Sequence, residues 1–181
     1  MDSRVFRLDP PPTVAWFDVD YPEVIALRER IYPTRDNYHL IGSSVTDFGW
    51  LDRVPAERPA LVVAEGLTMY LTPAGGEELV RRLVRTFPSG EMIFDMFSRL
   101  GIRLQKLNPV VRRARATLHW GIDDPHELER LGLSVVSVLD AAVYDRPDVL
   151  ARVSPVFRVQ LRVANRIRLF RELAHIARFR F

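Results

Sequence analysis

The chain has 181 residues, 48% of them hydrophobic, which is enough for one core and too short for two full domains, so a single domain over 1–181 is expected. The formal net charge is +3 and the sequence pI about 9.7, with Lys106 the only lysine among the many arginines; this modest excess is not the signature of a nucleic-acid partner. The absence of cysteine excludes disulfides, thiolate zinc sites and cysteine nucleophiles, no apolar run approaches the roughly 20 residues of a membrane-spanning helix, and the first residues, MDSRVFRLDPPP, lack the apolar stretch of a signal peptide, so a soluble cytoplasmic protein with no membrane contact is expected.

Thr13 to Asp20 (TVAWFDVD) is apolar, rich in β-branched and aromatic residues, and ends in acids; it reads as a buried strand. Pro22 stands where a helix can begin, and Val24, Ile25, Leu27 and Ile31 continue that helix until Pro33 stops it. Tyr38 to Val45 (YHLIGSSV) and Ala60 to Glu65 (ALVVAE) are the second and third strands, and such continuous apolar runs imply burial on both faces. A turn then leads into a helix with Thr72 as N-cap, Pro73 at its first position and Leu79, Val80, Leu83 and Val84 facing inward, its first turn weakened by Gly75 and Gly76. Glu91 to Phe97 (EMIFDMF) is a fourth strand, and the arginine-rich stretch 98–120 reads as a substrate lid. Asp124 and Pro125 start a short helix closed by Gly132, and Leu133 to Leu139 is a fifth strand. After Pro155 seven arginines face one acid, Glu172, while Val156, Val159, Val163, Ile167, Phe170 and Ala174 recur at helical spacing. A helix that packs inward and leaves its arginines in water fits this better than an anion-binding tail. A short strand, ARFRF, finishes the chain. Helices alternating with buried strands predict an α/β fold, with a mostly parallel sheet and an antiparallel element at the C-terminal end.

In open α/β sheets ligands bind outside the carboxyl ends of the strands, and here those ends are acidic: Asp18 and Asp20 close the first strand, Asp47 follows the second and Glu65 closes the third. A carboxylate at such a position can accept hydrogen bonds from both hydroxyls of a ribose. The pattern by itself does not separate S-adenosylmethionine from NAD, and acids at strand ends are also common solvated caps. No histidine pair has the i, i+4 spacing of a helical metal site, and neither a hydrolase G-x-S-x-G turn nor a P-loop occurs. His39, His119, His126 and His175 lack any partner motif that would mark a general base, and read as surface or core residues.

The segments RVFRLDPPPTVAWFDVDYPEVIALR, LVVAEGLTMYLTP and WGIDDPHEL, in this order and spacing, resemble the leucine carboxyl methyltransferase family, in particular its bacterial branch of polyketide-type O-methyltransferases. The resemblance implies a Rossmann-like class I methyltransferase fold, S-adenosyl-L-methionine as cofactor, and a small-molecule acceptor methylated on a carboxylate or hydroxyl. It places the family's ribose-binding acid on Asp20 and the Asp-Leu pair that flanks the adenine on Ser44 and Val45, so that serine stands in for the acid. The family's glutamate near the methionine part falls on Glu65, and Gly66 to Leu71 would line the pocket. Tyr70 reads as a core aromatic rather than a substrate contact.

The family's G-x-G-L-D-[ST]-R loop has its last three residues at Asp2, Ser3 and Arg4; its glycines and the first strand before them are missing from this sequence. From this we expect an N-terminally truncated or shortened chain, weak cofactor binding, and an exposed sheet edge that favours a homo-oligomer. Two other readings stand beside the methyltransferase. An NAD-dependent oxidoreductase would share the Asp20 argument but needs a G-x-G-x-x-G turn that the sequence lacks. A non-catalytic remnant of the fold would serve only as an interaction module.

Overall fold

In the computed structural model, which describes residues 2–107, 109–114, 116–140, 146–155, 158, 166 and 173–181, a turn in which the Val14 N–H meets the Pro11 carbonyl takes up the start of the first apolar run. Strand β1 is therefore Trp16–Asp20, preceded by a one-turn helix α1, Arg4–Leu8. Helix α2, Pro22–Ile31, has its proline in the first turn, where the missing N–H costs nothing. Strand β2, Tyr38–Gly42, pairs in parallel with β1, with Trp16 opposite Tyr38 and Asp20 opposite Gly42. The strand ends at Gly42 rather than Val45 because the chain turns at once: the Ser43 N–H bonds the Asp20 carbonyl, and the Asp47 N–H bonds the Ser44 carbonyl. These elements belong to one compact unit, Met1–Ala56, and the remainder to a second, Glu57–Phe181.

The second unit holds a four-stranded sheet in the order β3-β4-β6-β5, formed by β3 (Ala60–Ala64), β4 (Gly90–Phe97), β5 (Ser134–Leu139) and β6 (Ala174–Arg180). β3 and β4 are parallel, and β6 runs antiparallel to both β4 and β5. Three of its four strands thus share one direction. The C-terminal strand is longer than ARFRF and lies inside the sheet rather than on its border. Alternation explains that position: Ala177 and Phe179 are fully buried, opposite Phe94 and Met92, and the Phe94 and Phe179 rings stack at 5.0 Å.

Burial on both faces fails at β3. Val62 and Ala64 stand in register with the buried Met92 and Phe94, whereas Leu61 and Val63 point to the opposite face and are 65% and 44% exposed. Helix α3, Pro73–Thr86, starts as its sequence predicts, with the Thr72 hydroxyl accepting the Gly75 N–H and Leu79, Val80 and Leu83 buried. The Asp124 to Gly132 element is a 3-10 helix, Pro125–Leu131, with a full capping box between Asp124 and Glu127 and Gly132 in the left-handed conformation.

The stretch 98–120 contains α4 (Arg99–Arg103) and α5 (Pro109–Ala114). It is built into the core: Val111 and Leu118 cluster with Met69, and the Gln105 side chain binds both the N–H and the carbonyl of Leu118. A further short helix, α6, covers Pro147–Leu150. The apolar positions 156, 159, 163, 167 and 170 of the expected tail helix lie outside the described residues, while Ala174 opens β6. Among the described residues no helix is long and apolar enough to cross a membrane, and no group of three or more His, Asp or Glu side chains could hold a metal ion.

Candidate functional site

The two acids of FDVD, two residues apart, meet different surroundings. The Asp18 side chain is only 15% exposed and is consumed by neighbours. Its carboxylate accepts from the guanidinium of Arg28 at 2.5 Å, from the Tyr38 hydroxyl at 2.6 Å and from the Trp16 indole at 3.0 Å. Arg28 is itself 2% exposed, crosses the Tyr32 ring at 5.5 Å and donates to the Asp2 carbonyl. Burial, together with the hydrogen bond its hydroxyl donates to Asp18, pushes the Tyr38 phenol up to about 12. This buried network ties α2 to β1 and β2, and its acid is a structural one.

Asp20 stands one step beyond, at the carboxyl end of β1. Its Oδ1 accepts the N–H of the next residue, Tyr21, at 2.8 Å, and among the described residues no hydrogen bond reaches Oδ2. One carboxylate oxygen is thus held by backbone, which fixes the side chain's direction, and the other keeps its acceptor capacity. Ser44 and Val45 follow the end of the parallel neighbour β2. The Ser44 hydroxyl is engaged with the Thr46 hydroxyl at 2.9 Å, and the Val45 carbonyl takes the Trp50 indole N–H at 3.2 Å. Both residues therefore shape the turn after β2, and the serine is spent locally. Asp47 is exposed in the same turn.

In the second unit Glu65 is exposed immediately after β3. Gly66 is left-handed at φ 64°, a conformation that side chains rarely adopt, and a Cβ there would meet nothing within 4 Å among the described residues. The backbone at this turn is consequently open to close approach. Tyr70, expected in the core, is 38% exposed, because Thr68 and Met69 occupy the inner side of the one-turn 3-10 helix Thr68–Tyr70. The Met69 carbonyl in turn receives the N–H groups of His119 and Trp120, at 2.8 and 3.3 Å.

One residue escaped sequence reasoning. Asp95 lies within β4, on the face opposite Phe94 and Met96, and its Oδ1 accepts the Gly66 N–H at 2.8 Å. Its carbonyl accepts the Thr68 hydroxyl at 2.5 Å. Burial raises its pKa above the usual carboxylate value; the Gly66 N–H works against that rise and the nearby Glu65 charge adds to it. The available signal was a lone acid inside the apolar run EMIFDMF.

Each unit thus carries one candidate group of its own: in the first, a carboxylate oxygen with acceptor capacity at the end of β1, and in the second, an exposed carboxylate beside a left-handed glycine after β3. The strand arrangement, with an antiparallel strand inserted between two that run in the other direction, is the fold of class I methyltransferases. An S-adenosylmethionine-dependent methyltransferase from Mesorhizobium loti superposes with a TM-score of 0.60 at 14% identity, over 93% of this chain and 81% of that one. Within that class, residues 1–84 match the leucine carboxyl methyltransferase family. The tetracenomycin polyketide synthesis O-methyltransferase TcmP of Streptomyces glaucescens is 54% identical over 129 residues, covering 71% of this chain and 48% of TcmP. The S-adenosyl-L-methionine-dependent methyltransferase dpfgK of Gibberella zeae is 37% identical over 142 residues, with the same two shares, 71% and 48%. Residues 1–84 thus carry the pattern of the leucine carboxyl methyltransferase family, and the chain spans about half the length of the curated relatives it matches.

Proposed function

We propose that the chain forms part of an S-adenosyl-L-methionine-dependent O-methyltransferase whose acceptor is a carboxylate or hydroxyl of a small, polyketide-type molecule. The observation that carries this reading is the division of labour between Asp18 and Asp20: the first is locked to Arg28 and Tyr38, while the second keeps an acceptor oxygen at a strand's carboxyl end. Asp20 would accept from the ribose hydroxyls, Glu65 would lie near the methionine part, and the turn from Gly66 to Leu71 would line the pocket. Ser44 and Val45 would flank the adenine through backbone and methyl groups, because the serine hydroxyl already serves Thr46. When bound, the cofactor supplies an electrophilic methyl group on a sulfonium; the protein's part is to align the acceptor in line with it and to exclude water. A carboxylate acceptor needs no general base. The stretch 98–120 is the segment proposed to cover the acceptor, and the proposed setting is the cytoplasm, with β3, an edge strand of its sheet, favouring a homo-oligomer.

The test is calorimetric titration of the chain with S-adenosylhomocysteine, with NAD in parallel. Binding weaker than micromolar is expected, with S-adenosylhomocysteine preferred over NAD. Asp20→Asn should lower that affinity further by about tenfold, the loss of one charge-assisted contact, and leave the unfolding midpoint unchanged. Binding of NAD in preference, or an Asp20→Asn chain that binds as the parent does, would refute the proposal.

A further inference from the structure

The turn after β3 is fastened from a single residue of the neighbouring strand. Asp95 engages it twice: its carboxylate takes the Gly66 N–H at 2.8 Å, and its own carbonyl takes the Thr68 hydroxyl at 2.5 Å. The two held residues bracket Leu67 and immediately follow Glu65. Gly66 contributes no side chain to restrain itself: a Cβ there would meet none of the described residues within 4 Å, and its left-handed φ is one that glycine visits without cost but does not enforce. An external restraint therefore sets the course of the turn. Thr68 is buried, so its hydroxyl needs a partner, and the Asp95 carbonyl provides it. A carboxylate in the middle of an apolar strand, beside another acid, opposes its own ionisation. A residue that serves only to fill β4 has no use for a polar acceptor at that place.

We infer that Asp95 is a positioning residue: by gripping Gly66 and Thr68 it holds the turn in the one course that presents the Glu65 carboxylate beside the open Gly66 backbone. The inference rests on the proposed role of Glu65 toward the methionine part of the cofactor. It assigns the effect of Asp95 to its hydrogen bond and not to its charge. Asparagine has the same reach and keeps an acceptor oxygen for the Gly66 N–H, whereas alanine does not.

The experiment compares the parent chain with Asp95→Ala and Asp95→Asn by amide hydrogen exchange at Gly66 in the free protein, and by the shifts of the Glu65 and Gly66 resonances on titration with S-adenosylhomocysteine to millimolar concentration. Asp95→Ala should speed Gly66 exchange and weaken the titration by about tenfold each, the factor to which ~1.4 kcal/mol corresponds. Asp95→Asn should restore both to within about threefold of the parent. Unchanged Gly66 exchange in Asp95→Ala, an Asp95→Asn chain as impaired as the alanine variant, or a loosened turn that binds as tightly as the parent would each overturn the inference. If the parent's Glu65 and Gly66 resonances do not respond to the ligand, the cofactor reading of Glu65 has failed, and the exchange comparison still decides whether Asp95 holds the turn. Should Asp95→Ala not fold, Asp95→Ser, whose shorter side chain does not reach the Gly66 amide, carries the same comparison.

Discussion

Adding one methyl group at Gly76 sets two opposed effects against each other. Gly76 lies in the first turn of α3, and helix propensity alone makes Gly→Ala favourable by about 1 kcal/mol. The space for that methyl is already taken: an added Cβ would stand 2.0 and 2.1 Å from two carbons of the Trp120 ring. An ordinary carbon–carbon contact is about 3.5 Å, so the ring would have to retreat by roughly 1.5 Å. It has little freedom to do so, being 6% exposed and held at its backbone by the Met69 carbonyl. Overpacking of this kind costs about 1–3 kcal/mol, and the size of the overlap puts it at the upper end, so Gly76→Ala should destabilise by a net ~1–2 kcal/mol. Urea unfolding followed by far-ultraviolet circular dichroism reads this as a lower midpoint at unchanged slope. In a Trp120→Ala background the obstacle is gone, and the same substitution should stabilise by up to about 1 kcal/mol. A stabilising effect in the parent chain, or the same sign in both backgrounds, would refute the steric account.

Replacing Arg28 with Met should cost about 3 kcal/mol, since it strands the partly buried Asp18 carboxylate with only Tyr38 and Trp16 as partners; denaturation reported by probes in residues 1–56 would show it. Tyr38→Phe should lose about 1–3 kcal/mol for the hydrogen bonds to Asp18 and Arg28. Because the folded-state pKa of Tyr38 is raised, its contribution is fully present below the ordinary phenol value near 10 and disappears as pH climbs through about 12. An alkaline stability titration should therefore fall across that window in the parent and fall less in Tyr38→Phe. Removing the N-cap hydroxyl with Thr72→Ala should lower the stability of the second unit by about 1 kcal/mol, as its Gly75 N–H partner is left to water, and thermal unfolding measures it.

Several elements were legible because their causes are local. Proline at the head of α2, Thr72 and Pro73 at the head of α3, the Asp124 to Glu127 capping box and the left-handed Gly132 are each decided by residues within a few positions of one another. The acidic strand ends were legible for the same reason, since Asp20 closes β1 and Glu65 directly follows β3. The likeness to leucine carboxyl methyltransferases was legible as well, since FDVDYP and AEGLTMYL form an ordered pair of motifs.

The rest depended on partners that no period or spacing announces. Asp18 and Asp20 are alike in the sequence, and only the arrival of Arg28 and Tyr38, 10 and 20 residues away, makes one structural and leaves the other an open oxygen. Gly76 reads as a helix defect until the Trp120 ring is found on it. The place of β6 between β4 and β5, and the grip of Asp95 on a turn 29 residues earlier, follow from which strands lie side by side. Local steric preference and capping are written along the chain and can be read there; pairing between distant segments is settled by the packing of the whole unit, and only the tertiary structure decided it.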